Sequence, residues 1–293
     1  MNDFKVNIGI ETHIELKTRT KAFCGCEHKF GADPNTHVCP VCMGLPGAIP
    51  SVNRVAVENT IKAGLLFHGD IQKEFYFERK NYFSPDLPKG YQSVQYSKPI
   101  CSGGYVELSN GKKILLNRIH LEEATAKVTY DNNDGVSLID YNRSGVAILE
   151  IVSNPNEMSS QEVVEYLDVV RDMVRSAGLS DCIKEDGQFR FDISISISKN
   201  NCMGTRVEIN NLVSSKDIIN AVDYEIDRQM SLLESGGEIL QETRIWDSVG
   251  ETTFTVRPKE NVCDYRHIKD PDLKTICITD EDIARLSKEL QYK

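Results

Sequence analysis

No stretch of this sequence stays apolar for the 18 or more residues that a bilayer-crossing helix needs. Its opening, Met1-Asn2-Asp3-Phe4-Lys5-Val6-Asn7, has no apolar core of a signal peptide, so neither secretion nor a membrane anchor is expected. Basic charge is in deficit: 34 Lys plus Arg stand against 44 Asp plus Glu, a net charge of −10. That excludes a broad basic surface as the means of holding nucleic acid, though not a local basic pocket or RNA brought by a partner. There is no G-x-x-x-x-G-K-S/T and no G-x-G-x-x-G, which excludes a P-loop and a Rossmann fingerprint. Internal repeats and low-complexity tracts are also missing. What is there is a 293-residue chain, 40% hydrophobic and 27% charged, long enough to bury a core as one large domain or two small ones.

The pattern predicts an α+β fold with a largely antiparallel sheet and flanking helices. Phe189 to Ser198 alternates most cleanly, with Phe189, Phe191, Ile193, Ile195 and Ile197 on one face and Arg190, Asp192, Ser194 and Ser196 on the other. Further strands are expected at Val6–Glu11, Phe75–Phe77, Tyr105–Leu108, Ile114–Leu121, Ala147–Val152, Val207–Ile209, Thr243–Trp246 and Thr252–Val256. Turns rather than helices join most of them, which favours antiparallel pairing. Helices are expected at Val52–Phe67, Gln161–Ser176, Ser215–Glu234 and Asp280–Leu290. The second opens on a capping box at Ser159 to Glu162, and the last sits behind a Thr279 cap.

Nine cysteines, an odd number, are spread so that four fall between positions 24 and 42. A reducing, cytoplasmic location with one clustered thiolate site fits this better than a disulfide scaffold. Cys24-Gly25-Cys26 and Cys39-Pro40-Val41-Cys42 are two close pairs, each able to supply two thiolates from a tight turn. Cys24, Cys26, Cys39 and Cys42 are therefore expected to hold a structural Zn²⁺ in a site closed to substrate. His28 and His37 lie in the intervening loop and are not needed as ligands.

Glu11 and His13 are two apart in an extended segment and so share one strand face. Glu122 and Glu123 end another strand, Glu150 sits inside an apolar one, and Asp192 lies on the polar side of the Phe189 strand. Such a face suits Mg²⁺, a hard cation that prefers oxygen ligands. Two loops interleave charges with aromatics, Glu78 to Gln92 and Asp140 to Gly145. Cations facing a carboxylate–metal site are what a phosphate-handling pocket requires.

At these residues the chain resembles the B subunits (GatB) of the tRNA-dependent amidotransferases. The likeness rests on Ile8-Gly9-Ile10-Glu11-Thr12-His13, Phe23-Cys24-Gly25-Cys26, Cys39-Pro40-Val41-Cys42-Met43-Gly44-Leu45-Pro46-Gly47, Arg79-Lys80-Asn81-Tyr82-Phe83, Pro85-Asp86-Leu87-Pro88-Lys89-Gly90-Tyr91-Gln92, Arg118-Ile119-His120-Leu121-Glu122-Glu123, Asp140-Tyr141-Asn142-Arg143 and Gly204-Thr205-Arg206-Val207-Glu208-Ile209. It runs in order along nearly the whole chain. The resemblance implies a catalytic cradle domain over residues 1–278, with residues 279–293 beginning a helical domain that the family continues into a tRNA-gripping tail. It implies ATP-dependent phosphorylation of the side-chain carboxylate of Glu or Asp on misacylated tRNA, followed by displacement of the phosphate by ammonia. The ammonia would come from glutamine hydrolysed in an amidase-type A subunit, with a small C subunit clamping the pair. By position, Glu11, His13, Glu122, Glu123 and Glu150 match the family's Mg²⁺ ligands, with Asp192 nearby. Arg79, Lys80, Lys89, Arg143 and Arg206 are the expected contacts to ATP phosphates.

The chain departs from the family pattern in three stretches, Leu121 to Lys127, Arg190 to Ile195 and Glu208 to Ser215. Ala124 stands where an acid is usual, Asn210 where a lysine is usual, and Val213 where an asparagine is usual. Two other readings therefore stand beside the first: a short paralogue amidating a different carboxylate, and a non-catalytic, zinc-stabilised partner protein.

Overall fold

The computed structural model describes residues 4–131, 135–199, 204–258 and 265–291. Cys202 and Cys263, two of the scattered cysteines, lie outside them. In chain order the elements are β1 (Phe4–Glu15), α1 (Arg54–Leu66), β2 (Asp70–Ile71), β3 (Glu74–Phe75), β4 (Glu78–Asn81), β5 (Tyr91–Val94), β6 (Cys101–Ser102) and β7 (Tyr105–Glu107). Then come β8 (Lys113–Glu123), β9 (Lys127–Asp131), β10 (Val136–Asp140), β11 (Ala147–Ser153), α2 (Ser160–Ser176) and β12 (Phe189–Lys199). The rest are β13 (Val207–Asn210), α3 (Ser215–Glu234), β14 (Glu242–Asp247), β15 (Thr252–Pro258), β16 (Ile268–Lys269), β17 (Ile276–Cys277) and α4 (Asp280–Gln291).

The fold is α+β, and its main sheet runs β15-β14-β13-β12-β1-β11-β8-β6-β2, with β7 attached to β8. Every pair in it is antiparallel except β13 with β14, which is parallel because α3 carries the chain back across the sheet between them. β1 is central and long. It pairs with β12 from Phe4↔Lys199 to Ile14↔Phe189 and with β11 from Glu11↔Val152 to Glu15↔Ile148. The sequence expectation ended this strand at Glu11. The alternation in fact continues through Thr12, His13, Ile14 and Glu15, and the polar residues on one side hid it.

Two-residue periodicity divides the sheet into two chemical faces. Ile8, Ile10, Ile14, Leu149, Ile151, Ile119, Leu121, Ile193 and Ile195 are all buried, in one cluster with Ile61 of α1, Tyr166 and Val170 of α2, and Ile218 and Val222 of α3. The helices thus cover one face and leave the other to the polar residues. The first three helices each start on a side-chain cap. Asn53 Oδ1 accepts from the N–H groups of Val55 and Ala56, and capping boxes close α2 (Ser159 with Glu162) and α3 (Ser214 with Asp217). α4 is tied to α1 by Arg285–Glu58 at 2.8 Å and Lys62–Glu289 at 2.6 Å, and its Leu286 enters the core.

The segment Glu78 to Gln92, expected as an ordered loop, is a paired hairpin at its ends. β4 and β5 match Glu78 with Val94 and Asn81 with Tyr91, and β16 adds a third strand. Charged residues without apolar alternation concealed these strands. The core predicts its own test. Ile195→Ala removes a fully buried side chain and should cost about 2–5 kcal/mol. Denaturant titration followed by the single tryptophan, buried Trp246, will read it, and a loss under about 1 kcal/mol would contradict the packing described.

Candidate active site

The polar face of the sheet floors a cavity of about 1050 Å³. Strand register decides which side chains reach it. His13 of β1 pairs with Glu150 of β11, which pairs with His120 of β8; Ile148, two residues from Glu150, pairs with Glu122. Residues opposite one another across an antiparallel pair share a face, so His13, Glu150 and Glu122 meet. His13 Nε2 stands 3.8 Å from Glu122 Oε1 and 3.9 Å from Glu150 Oε2. These gaps are too long for hydrogen bonds, yet one ligand atom of each residue lies within 4.8 Å of the other two. Donors with bonds of about 2.1 Å to one ion lie at most about 4.2 Å apart, and both His13 gaps fall inside that limit, so a small divalent cation such as Mg²⁺ could be held by the three residues.

The electrostatics agree. Burial, and then the negative charge of Glu150, push the Glu122 carboxyl up to about 8. Burial opposes ionisation of Glu150 as well, but the His120 imidazole 2.9 Å away, with His13 and Arg118, holds it well below the usual carboxylate range. Burial also disfavours charge on His13, and the surrounding acids Glu150, Glu122, Asp192 and Glu11 outweigh it and raise its pKa. Near neutrality the pair therefore keeps one proton, on Glu122, that a cation would displace. His120 is 3% exposed and does not line the cavity; it orients Glu150 from the neighbouring strand, 2.9 Å away.

The other expected residues divide. Glu11 and Asp192 are cross-strand partners and both line the cavity. With its amide turned to satisfy both ends, Asn210 donates to Asp192 Oδ1 at 2.9 Å. Arg206 reaches the same edge, its Nη1 3.5 Å from Glu11 Oε1. Lys80 and Arg143 line the cavity too. Glu123 is placed differently from Glu122, because it pairs with Ala147, one residue out of phase with Ile148. Its carboxylate accepts from Ser93 N at 2.7 Å and from Lys89 Nζ at 2.5 Å, so Glu123 and Lys89 neutralise each other at the cavity wall. Arg79 does not line the cavity; it is held by Asp270 at 3.1 Å and Asp272 at 2.6 Å and lies over the Tyr91 ring.

The four cysteines converge. The Sγ atoms of Cys24, Cys26, Cys39 and Cys42 all lie within 4.8 Å of one another, compatible with Zn–S bonds of about 2.3 Å, and none of the four forms a disulfide. The Cys24 thiol donates to Cys42, and, against burial, the Cys39 N–H at 3.2 Å and the ammonium of Lys21 at 3.6 Å help hold Cys42 at about 4. Lys21 is completely buried; its ammonium also donates to Tyr141 O at 3.1 Å. A buried ammonium beside a thiolate cluster offsets charge that the apolar surroundings would otherwise disfavour.

The cluster does more than brace a turn. Residues 27–38, strung between the two cysteine pairs, cover one side of the cavity: His28, Lys29, Phe30, Gly31, Ala32 and Pro34 all line it. This wall is laced to the segment at 139–143. Asn35 N donates to Asp140 Oδ1 and its Nδ2 to Ile139 O, both at 3.0 Å, while Tyr141 N donates to Asn35 Oδ1 at 2.8 Å. His37 N donates to Asn142 Oδ1 and Asn142 Nδ2 to Asp33 O, both at 2.7 Å. The wall also brings His28 Nε2 to 3.5 Å from Glu15 Oε2, while Arg143 Nε donates to Glu15 Oε1 at 2.8 Å. Burial opposes ionisation of Glu15, but His28 and Arg143 prevail and lower its pKa. Gly44 makes the loop's return possible. It sits at φ 67°, and a Cβ there would meet the Lys89 Cα at 2.8 Å.

Residues 6–284 match the family model described as the GatB/GatE catalytic domain. The chain belongs to that family. Among its GatB relatives is the B subunit of the aspartyl/glutamyl-tRNA(Asn/Gln) amidotransferase of Thermoanaerobacter sp. (strain X514), 44% identical over 292 residues, a match covering 98% of this chain and 61% of that protein. The protein of the same name from Clostridium novyi (strain NT) is 45% identical over 294 residues, with 98% and 62% covered. That from Lachnospira eligens is 44% identical over 300 residues, with 100% and 62% covered. The chain spans about three fifths of the length of these GatB relatives.

Of the departures from the GatB pattern, Ala124 and Val213 line the cavity, and Asn210 bonds to Asp192, which also lines it. Ala124 is buried with Val146 and Ile148 as a small apolar patch in the lining, where an acid would sit beside two aliphatic side chains. Val213 lies exposed at the rim. Sequence reasoning passed over Glu15, His28, His120 and Arg190. Glu15 was legible, as the next step of the Glu11, His13 alternation. His28 was not, since only the folded loop carries it across to β1.

Proposed function

We propose that this domain activates the side-chain carboxylate of Glu or Asp carried on misacylated tRNA, using ATP, and then amidates it. The observation that supports this reading most strongly is the meeting of His13, Glu122 and Glu150 on the floor of a cavity also lined by Lys80 and Arg143. A carboxylate is a poor electrophile, and phosphorylation gives it a leaving group. The substrate carboxylate oxygen bonds to the γ-phosphorus as the bond to ADP breaks; ammonia then bonds to the acyl carbon, the acyl C–O bond to phosphate breaks, and the proton that the nitrogen loses leaves on the phosphate as HPO₄²⁻. His13, Glu122 and Glu150, with Glu11 at the edge, would hold Mg²⁺, which when bound supplies positive charge to the phosphoryl oxygens. Lys80 and Arg143 would orient the same oxygens from the wall. Cys24, Cys26, Cys39 and Cys42 would hold Zn²⁺ outside the reaction. Ammonia would come from glutamine hydrolysed by an amidase-type A subunit, with a small C subunit in a cytoplasmic complex. No helix among the described residues is long and apolar enough to cross a membrane.

Hydroxylamine trapping tests the chemistry. The chain, its A-type partner, MgATP and Glu-tRNA should yield a tRNA-linked hydroxamate only when ATP is present. Absence of both hydroxamate and ATP cleavage would overturn the reading. A second reading, amidation of another carboxylate, is favoured by the apolar patch at Ala124. It predicts ATP cleavage with a free or carrier-bound acid and none with Glu-tRNA or Asp-tRNA.

A further inference from the structure

An arginine on the surface of a strand is ordinarily a solvated residue. Three observations separate Arg190 from that description. It lines the reaction cavity, and in the β1–β12 register it is the residue directly opposite His13. Among the described residues no hydrogen bond and no ion pair within 4.0 Å reaches its guanidinium, although Glu15 and Asp192 are near enough to act on it electrostatically. The guanidinium is laid across the turn at Gly187, where φ is 72° and an added Cβ would meet its Nη2 at 3.1 Å.

Of the other cations expected to meet phosphate, Lys80 and Arg143 line the cavity and the remaining three face acids. Arg79 belongs to Asp270 and Asp272, Lys89 to Glu123, and Arg206 faces Glu11. Arg143 donates to Glu15 and to Thr125 O. Arg190 is exposed toward the cavity, yet partial desolvation first, and then the positive charge of Arg143, make its guanidinium harder to protonate than a free one. Two guanidinium groups repelling each other across a cavity leave a place that an anion would relieve. Opposite residues of an antiparallel pair have Cβ atoms about 4.5–5.5 Å apart, so a phosphoryl group on a cation held by the His13 cluster would lie within the reach of the long Arg190 side chain.

We infer that Arg190 is the anchor for the transferred phosphoryl group, gripping the γ-phosphate of ATP from the strand beside the cation-binding acids. The inference rests on the reading of the cavity as an ATP site and adds the residue that recognises the group in motion. Calorimetric titration of the chain with MgATP and with MgADP tests it, beside Mn²⁺ binding followed by electron paramagnetic resonance. Arg190→Ala should weaken MgATP about tenfold or more and leave MgADP and Mn²⁺ within about twofold, with Arg190→Lys regaining only part of the loss because a point charge replaces a fork. Equal MgATP affinity in wild type and Arg190→Ala overturns the inference alone. An equal loss for MgATP and MgADP overturns the assignment to the transferred group. A wild-type chain that binds Mn²⁺ but neither nucleotide overturns the reading of the cavity itself.

Discussion

Glu150→Gln should abolish divalent-cation binding in the cavity while leaving the fold in place. The substitution keeps the shape, and the amide oxygen can still accept from His120, 2.9 Å from the native carboxylate. What it removes is the carboxylate held most firmly ionised at the floor. Losing a group that merely supports a metal ligand costs about 10–100-fold in affinity, so losing a ligand should cost more than about 100-fold. Amide formation should fall by a similar factor or more, since a bound cation is worth several kcal/mol of charge stabilisation. Mn²⁺ titration with a thermal melt checks both halves, and unaltered Mn²⁺ affinity would remove these residues from any metal site. The proton on Glu122 gives the wild-type site a pH signature. Its pKa in the folded chain is raised to about 8, so cation binding below that pH must expel a proton. Affinity should rise with pH up to about 8 and then level off. In the cation-free chain the same raised pKa has the opposite effect: stability from Glu122 is full below the ordinary carboxylate range and is lost as pH rises toward 8.

Removing zinc, or replacing Cys42 by Ser, should open the cavity without unfolding the sheet. The wall at residues 27–38 is anchored at its ends by the cysteine pairs and along its length by the lacing to residues 139–143. The sheet has its own apolar core against the helices and needs none of this. A chelator should release about one zinc per chain, as expected of a site closed by four thiolates. Exposed Lys29 should then become a preferred trypsin site while far-UV circular dichroism stays near its starting value. A loop that resists trypsin after the metal has gone, or a chain that contains no zinc and four titratable thiols, would count against the arrangement.

The sequence displayed the framework because the framework is apolar. Ile8 and Ile10 on β1, Ile193 to Ile197 on β12 and Ala147 to Val152 on β11 announce their strands by period and branching, and α3 was bounded correctly at Ser215 and Glu234. Legibility failed where polar side chains replace the apolar signal. β4 and β5 read as a loop because Glu78, Arg79 and Lys80 carry no alternation. The cysteine site was legible because paired thiols are rare; its role as a cavity wall was not, because the lacing from Asn35 and His37 to residues 139–143 joins segments about a hundred positions apart. Arg190 is visible on its strand face in the sequence, but that no hydrogen bond or ion pair reaches its guanidinium among the described residues is a property only the fold defines.

Glu122 and Glu123 are neighbours in the chain and both line the cavity, yet one belongs to the cation cluster on its floor and the other to a buried pair with Lys89 at its wall, because they differ by one step of strand phase. The site is thus encoded in counting as much as in chemistry. Substituting a residue on β1, β8, β11 or β12 deletes a single group and leaves its neighbours where they were. Inserting or deleting one residue within those strands exchanges the two faces beyond that point, putting carboxylates against α2 and α3 and isoleucines into the cavity. A length change should therefore be tolerated only in the connections, and altering the spacing from Glu11 to Glu15 or from Arg118 to Glu123 should damage the site more than many single substitutions within those segments.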